Sequence, residues 1–351
     1  MIPLIYSLHS GNLYGTERMA LATADGLKGE FDVTFYAPAG PIHDEAKLHG
    51  FKCRLFEGKA AYFRDIRPIF AANERVAAIS TRVTHTLACE AWARLYGRRC
   101  ANIQVVHGGT DERLSYGSKK WLDRLAVKQV AVSKYVKERM IANGVKESSI
   151  TVIENFLSPE RVESAPQRSF ARRDAVRKVI IVSRLDPIKR VDLLLDALGL
   201  EPALRDLQFE IYGSGSDEAI LRARALNGHP NVKFMGFSPF VPEEMANADM
   251  LLHLCPEEPF GLAILEAMAA AVPVMVPNSG GAGDLVEPGR TGFHFHANDA
   301  WSLANELKAV MQPEPNLLKT IAIEAMKTLY SRFSAKRGIA QYAQLIHSCL
   351  N

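Results

Sequence analysis

The chain has 351 residues, more than one average domain and comfortable for two, with 48% hydrophobic residues, 23% charged residues and a net charge of +3. That balance excludes a disordered or low-complexity chain, and no apolar run approaches the roughly 18 residues that cross a bilayer. Five scattered cysteines, none in a CxxC pair, argue against a disulfide framework or a zinc cluster and for a reducing cytoplasm.

The opening MIPLIYSL lacks a basic n-region and reads as a first strand, not a signal peptide. GTERMALATADGLKG has helical spacing of its apolar residues, and FDVTFYAP alternates as a strand stopped by Pro38. Residues 41–51 read as a helix and FKCRLFE as a strand. VAAIS, NIQVVHGG and KQVAVS read as buried strands, KYVKERMIANG as a helix ended by Gly144, and TVIENF as the last strand of this half. The polar, basic residues 157–176 read as a linker. The pattern then restarts with the strand KVIIVSRL, the helix VDLLLDALGL and the strand LQFEIYGSGS running into a turn. VKFMGF, DMLLHL and VPVMVP are further strands, with a helix around Leu262–Ala271 between the last two. DAWSLANELKAVM and AKRGIAQYAQLIHSCL close the chain as helices.

Two successive β/α series predict an α/β fold of two parallel-sheet domains, and ligands of such sheets bind at the carboxyl ends of the strands. Charge divides unevenly. Residues 1–165 carry 23 lysines and arginines against 18 acids, a balance of +5, and the remainder is at −2. The excess suits an anionic surface or substrate, or is ordinary solvated surface. No nucleic-acid partner is expected.

In EPFGLAILEA, Pro259 is compatible with a helix start and the run from Leu262 is strongly helix-forming. Glu258 then lies before the helix and Glu266 inside it. The amides of Phe260, Gly261 and Leu262 would face a phosphate from the helix N-terminus. Each carboxylate can accept from a vicinal diol. Diol, phosphate and diol in a row describe a nucleotide sugar; the plain alternative is an acidic helix start with Glu266 solvated. In VSRLDPIKRVDLLLDAL, Arg184 and Lys189 follow a strand end and suit a diphosphate, or one of them pairs with Asp186.

HSGNLYGTERMALA places Gly11 and Gly15 in the first βα turn, where backbone amides can approach a phosphate. It is neither a GxGxxG dinucleotide fingerprint nor a P-loop. YGSGSD has Gly213 and Gly215 in a similar turn. VVHGGTDE puts His107 at a strand end, to bond a substrate hydroxyl or to serve structurally. NSGGAGDLVEPGRTG reads as a flexible glycine loop after a strand.

In this order, GTER, VVHGG, VIENF, SRLDPIKRVDLLLDAL, YGSGSD, HPNVKFMGF, EPFGLAILEAMA and GGAGDLVEPGRTG resemble glycosyltransferase family 4, the retaining glycogen-synthase-like and PimA-like enzymes of the GT-B fold. The resemblance implies two Rossmann-like domains facing each other across a cleft. Residues 1–160 would bind the acceptor and 170–334 the nucleotide-sugar donor, with a final helix near 335–351 packing back on the first domain. It implies that Arg184 and Lys189 neutralise the diphosphate, that Glu266 holds the ribose, and that Glu258 holds the transferred sugar. Phe260, Gly261 and Leu262 would offer amides beside Pro259. His107 would sit by the sugar and Gly15 by the phosphate and acceptor, while Gly213 and Phe237 would lie near the base.

The chain departs from the family where Tyr14 replaces a glycine, where Gly283 and Asp284 stand for a Pro-Glu pair, and where His253 and Cys255 replace small or hydroxyl residues. The activity implied is hexosyl transfer from a UDP- or GDP-sugar to a glycan, lipid-linked or small-molecule acceptor, in cell-envelope or exopolysaccharide synthesis. No DxD element calls for a metal and no cofactor is expected. The rivals are a nucleotide-sugar 2-epimerase, an NAD-dependent oxidoreductase and a non-catalytic sugar-nucleotide binder. SKKWLDRLAVKQV, residues 118–130, reads as a basic helix that could rest on an anionic membrane at its cytoplasmic face, or as packed surface.

Overall fold

The computed structural model describes all residues except 110, 171–174 and 239–240; parts of the VVHGGTDE motif, of the 157–176 linker and of the stretch that follows Phe237 therefore lie outside the described residues. The chain divides into two compact units, residues 1–158 with 333–351, and residues 159–332.

The first unit holds a seven-stranded sheet of β1 (Ile2–Ser7), β2 (Phe31–Ala37), β3 (Lys52–Leu55), β4 (Arg75–Ser80), β5 (Arg99–Val106), β6 (Val127–Ala131) and β7 (Ile150–Val152). All pairs are parallel, in the order β3-β2-β1-β4-β5-β6-β7. Parallel strands are covered on both faces, so they read as continuous apolar runs; β4 is buried at every position but its first. The second unit repeats the plan with β8 (Lys178–Val182), β9 (Gln208–Tyr212), β10 (Val232–Gly236), β11 (Met250–Leu252), β12 (Val274–Pro277) and β13 (Phe293–Phe295), ordered β10-β9-β8-β11-β12-β13 and again all parallel. Its core joins Val179, Ile181, Phe209, Ile211, Leu252 and Met275 of the strands to the helices Asp192–Leu200 and Ala300–Ala309. Both sheets reverse strand order beside their first strand, between β1 and β4 and between β8 and β11. These are the topological switch points at which doubly wound sheets receive ligands.

The final helix, Ala335–Leu350, packs in the first unit on β5 and on the helix Gly15–Leu27. Gly338 lies against Phe156 so closely that a Cβ would fall 2.3 Å from the ring.

Several sequence expectations are corrected. Residues 118–130 are not one helix: Gly117–Arg124 is a 3-10 turn and Val127–Ala131 is β6, buried between β5 and β7. Val127 and Val130, counted to that helix in the sequence, belong to the sheet. The 157–176 linker contains a short helix, Pro159–Glu163, and the helix within residues 41–51 is confined to Ile42–Leu48. The helices Gly58–Ala72, Val83–Tyr96 and Leu317–Arg332 and the strand β13 escape the sequence reading. Gly58–Ala72 buries only Tyr62, Ile66 and Phe70, a stripe one residue wide, and carries Pro68 in its interior.

Candidate active site

At the switch point of the second unit, the loop after β8 and the loop after β11 bring opposite charges together. Gly213, at φ 135°, makes the first loop possible: a Cβ there would lie 1.9 Å from the Ser183 carbonyl oxygen. The Leu185 amide donates to the Ser214 carbonyl at 2.9 Å, knitting the ends of β8 and β9. Arg184 projects from this loop, 59% exposed, with its guanidinium 2.7 Å from Asp186. Lys189 turns inward at the end of a short 3-10 segment, Pro187–Lys189.

The Lys189 Nζ donates to Glu258 Oε2 at 2.6 Å, with both side chains largely buried. His253 Nε2 approaches the same oxygen at 3.4 Å. Burial opposes ionisation of Glu258, but the Lys189 charge and then His253 outweigh it and hold the carboxyl well below its ordinary range. Burial likewise opposes the charge on Lys189, and Glu258 raises its pKa in spite of that. The result is a charged pair with an imidazole beside it. His253, Cys255 and Glu258 offer metal-ligating atoms within 4.8 Å of one another. Burial pushes the Cys255 thiol up to about 11, and the Lys189 ammonium already supplies positive charge at the carboxylate.

The glycine run after β12 is not a flexible loop. Gly280–Leu285 is a short helix whose start braces the loop that carries Glu258. The Gly281 amide donates to the Glu258 carbonyl at 2.6 Å and Ser279 Oγ donates to the Pro256 carbonyl at 2.8 Å. A Cβ on Gly281 would lie 2.2 Å from the Pro259 carbonyl oxygen. That amide is spent on the protein, so it is not a ligand contact.

The helix Leu262–Ala269 begins where the sequence suggests, with Gly261 before it, Phe260 in the core, and Pro259 and Leu262 half-buried. Glu266 lies one turn in and pairs with Arg161 at 2.8 Å. Arg161 sits on the helix Pro159–Glu163, which sequence reasoning treated as linker; a cation in a polar stretch gives no signal of its partner. The same segment is tied down by Arg168, which is buried and paired with Asp249 at 3.0 Å. Phe237 is 83% exposed and is not part of this cluster.

His107 and Gly15 belong to the first unit. His107 follows β5 with its Nε2 buried and unpartnered among the described residues. Burial, then His9, lowers its pKa to about 3, so its imidazole is neutral. Gly15 is the exposed first residue of its helix. The Tyr14 amide before it donates to the buried Glu17 carboxylate at 3.1 Å, and the Tyr14 ring is 61% exposed.

Two family models match in sequence order: "Glycosyltransferase Family 4" over residues 13–161 and "Glycosyl transferases group 1" over residues 164–328. The chain belongs to glycosyltransferase family 4. It is an enzyme, a hexosyltransferase that draws on a nucleotide sugar. Its relatives include N-acetyl-alpha-D-glucosaminyl L-malate synthase of Bacillus anthracis, 23% identical over 76% of this chain and 73% of that protein. A GDP-mannose-dependent alpha-mannosyltransferase of Mycobacterium tuberculosis is 32% identical over 49% of this chain and 44% of its own. HepE of Anabaena, solved in complex with UDP and glucose, superposes with a TM-score of 0.81 at 20% identity, covering 99% of this chain and all of the other. The glycosyltransferase thus has the GT-B fold, and Lys189, Glu258 and Glu266 lie in the half matched by the group 1 model.

Proposed function

We propose that this glycosyltransferase moves a hexose, with retention of configuration, from a UDP- or GDP-sugar to a hydroxyl of a glycan, a lipid-linked saccharide or a small molecule. The reading is carried by the largely buried Lys189–Glu258 pair at the switch point of the second unit, a charged array whose desolvation an apolar packing of the same loop would avoid. In this reading residues 170–334 take the donor and the first unit the acceptor. Arg184 and Lys189 face the diphosphate, Glu258 accepts from hydroxyls of the sugar, and Glu266, oriented by Arg161, accepts from the ribose.

The donor C1–O bond breaks with its electron pair passing to the diphosphate, whose charge the two cations and the amides at Gly261 and Leu262 stabilise. The acceptor oxygen bonds to C1 on the same face, and its proton goes to the departing phosphate oxygen. No carboxylate is assigned as a covalent nucleophile and no metal is assigned to the transfer. His107, neutral, hydrogen-bonds the sugar rather than charging it.

Thermal-shift measurements with UDP, GDP, ADP, their sugar conjugates and NAD test the reading, on the wild type and on Glu266→Ala. One nucleoside diphosphate family should stabilise the wild type and do so less in the variant. A shift with NAD alone, or none with any nucleotide sugar, refutes it. Transfer should be indifferent to EDTA. The apolar Leu114 and Trp121, both more than 60% exposed among Arg113, Lys120 and Arg124, suit peripheral contact with an anionic bilayer at the acceptor.

A further inference from the structure

A cavity of about 310 Å³ opens in the first unit beyond the carboxyl ends of β2, β3 and β4. Two helices begin at it, Gly58–Ala72 and Val83–Tyr96, and neither has a side-chain cap or an acidic residue in its first turn. Their first amides therefore present partial positive charge to the cavity. Lys59 and Arg82 line it, and neither has a carboxylate partner among the described residues. His85 also lines it; the residue is 3% exposed, its ring packs on Tyr62 at 4.4 Å, and its Nδ1 has no hydrogen-bond partner among the described residues. Thr84 Oγ1, at the same helix start, is likewise buried and unpartnered. A buried polar atom without a partner is costly, and two at one cavity wall indicate groups kept for a ligand. Among the described residues Glu57 is the single acid of the lining.

We propose that this cavity binds an oxyanion, a phosphate or carboxylate group carried by the acceptor. That the group belongs to the acceptor rests on the proposed transferase reading; the oxyanion site itself does not. Arg82 and Lys59 supply the charge, the two helix starts supply amides, and Thr84 and His85 supply hydrogen-bonding atoms that have no partner among the described residues. Burial, followed by Arg82, lowers the His85 pKa to about 4, so its imidazole is neutral and takes part as a hydrogen-bonding group, leaving the positive charge to Arg82 and Lys59. The positive balance of residues 1–165 acts in the same direction.

Inorganic phosphate, titrated by calorimetry against the full chain, tests the site. Saturable binding is expected, weakened about tenfold or more in Arg82→Ala with Lys59→Ala. Both side chains are exposed, so the variants should fold. Glu57→Gln should tighten binding, because it removes the one opposing charge. Affinity for UDP or GDP should be unchanged in all of these variants. No phosphate binding, or binding equal in the wild type and the double variant, overturns the proposal while leaving the donor reading intact. Glycerol 3-phosphate and vesicles containing phosphatidic acid then separate the sources. Binding of the soluble ester alone assigns a small-molecule acceptor, and Arg82-dependent vesicle binding assigns a lipid headgroup.

Discussion

Lys189 and Glu258 are each largely buried, and each keeps its charge because of the other. The Glu258 pKa is depressed in the fold, so its contribution to stability is present above its ordinary 4.5 and is lost as pH falls through the lower folded value. The Lys189 pKa is raised, so its contribution is present below 10.5 and is lost as pH rises through the folded value. Across neutral pH the pair is intact. Lys189→Met leaves the carboxylate with only the His253 imidazole beside it and should cost about 3 kcal/mol near neutrality. The lone carboxyl would then titrate above its unfolded value, so the loss should shrink as pH drops toward 4.5. Urea melts of both proteins at about pH 5 and about pH 8 check the sign; an equal loss at both values would mean that Glu258 is solvated.

Two glycine-rich elements looked alike in the sequence and do different work. Gly213 lets the ends of β8 and β9 interlock, which sets the loop of Arg184 and Lys189. Gly280 and Gly281 pack against the backbone of residues 256–259 and so position Glu258. Gly281→Ala forces a methyl into the Pro259 carbonyl and displaces that loop. It should reduce kcat/KM for the sugar nucleotide by about a hundredfold or more, as a misplacement of about 1 Å at a catalytic group does. Steady-state kinetics, with circular dichroism to check the fold, measures it. A variant of normal activity would mean that the loop position is set elsewhere. The helix Leu262–Ala269 was legible because a Pro-Phe-Gly entry precedes an unbroken run of strong helix formers. The segment 118–130 was misread because a 3-10 turn and an adjoining buried strand share one basic, apolar composition.

At the scale of the molecule, each unit is a complete doubly wound sheet, yet the chain is not divided at one point: residues 333–351 return to the first unit. The returning helix is amphipathic and buries Tyr342, Ile346 and Leu350. Tyr342→Ala should destabilise the first unit by about 3 kcal/mol through the cavity it leaves. Denaturant unfolding should show this loss, with the nucleotide-induced shift of the second unit retained. Loss of nucleotide binding at native temperature would show that the two units do not respond separately.

The alternation of β-branched runs with helical periods was enough to specify two parallel sheets, because strands buried on both faces must be continuously apolar and their crossovers must be helical. The order of charged and glycine motifs along the chain carried the family and most of the candidate residues, since those residues follow strand ends, where the chain pattern already places them. Partnership was not legible. That Lys189 meets Glu258, that Glu266 meets Arg161, that Gly281 supports Glu258, and that Lys59 and Arg82 share a cavity with His85 are contacts between residues distant in sequence. Such contacts depend on strand order within each sheet, which one-dimensional periodicity does not encode, and only the tertiary structure decided them.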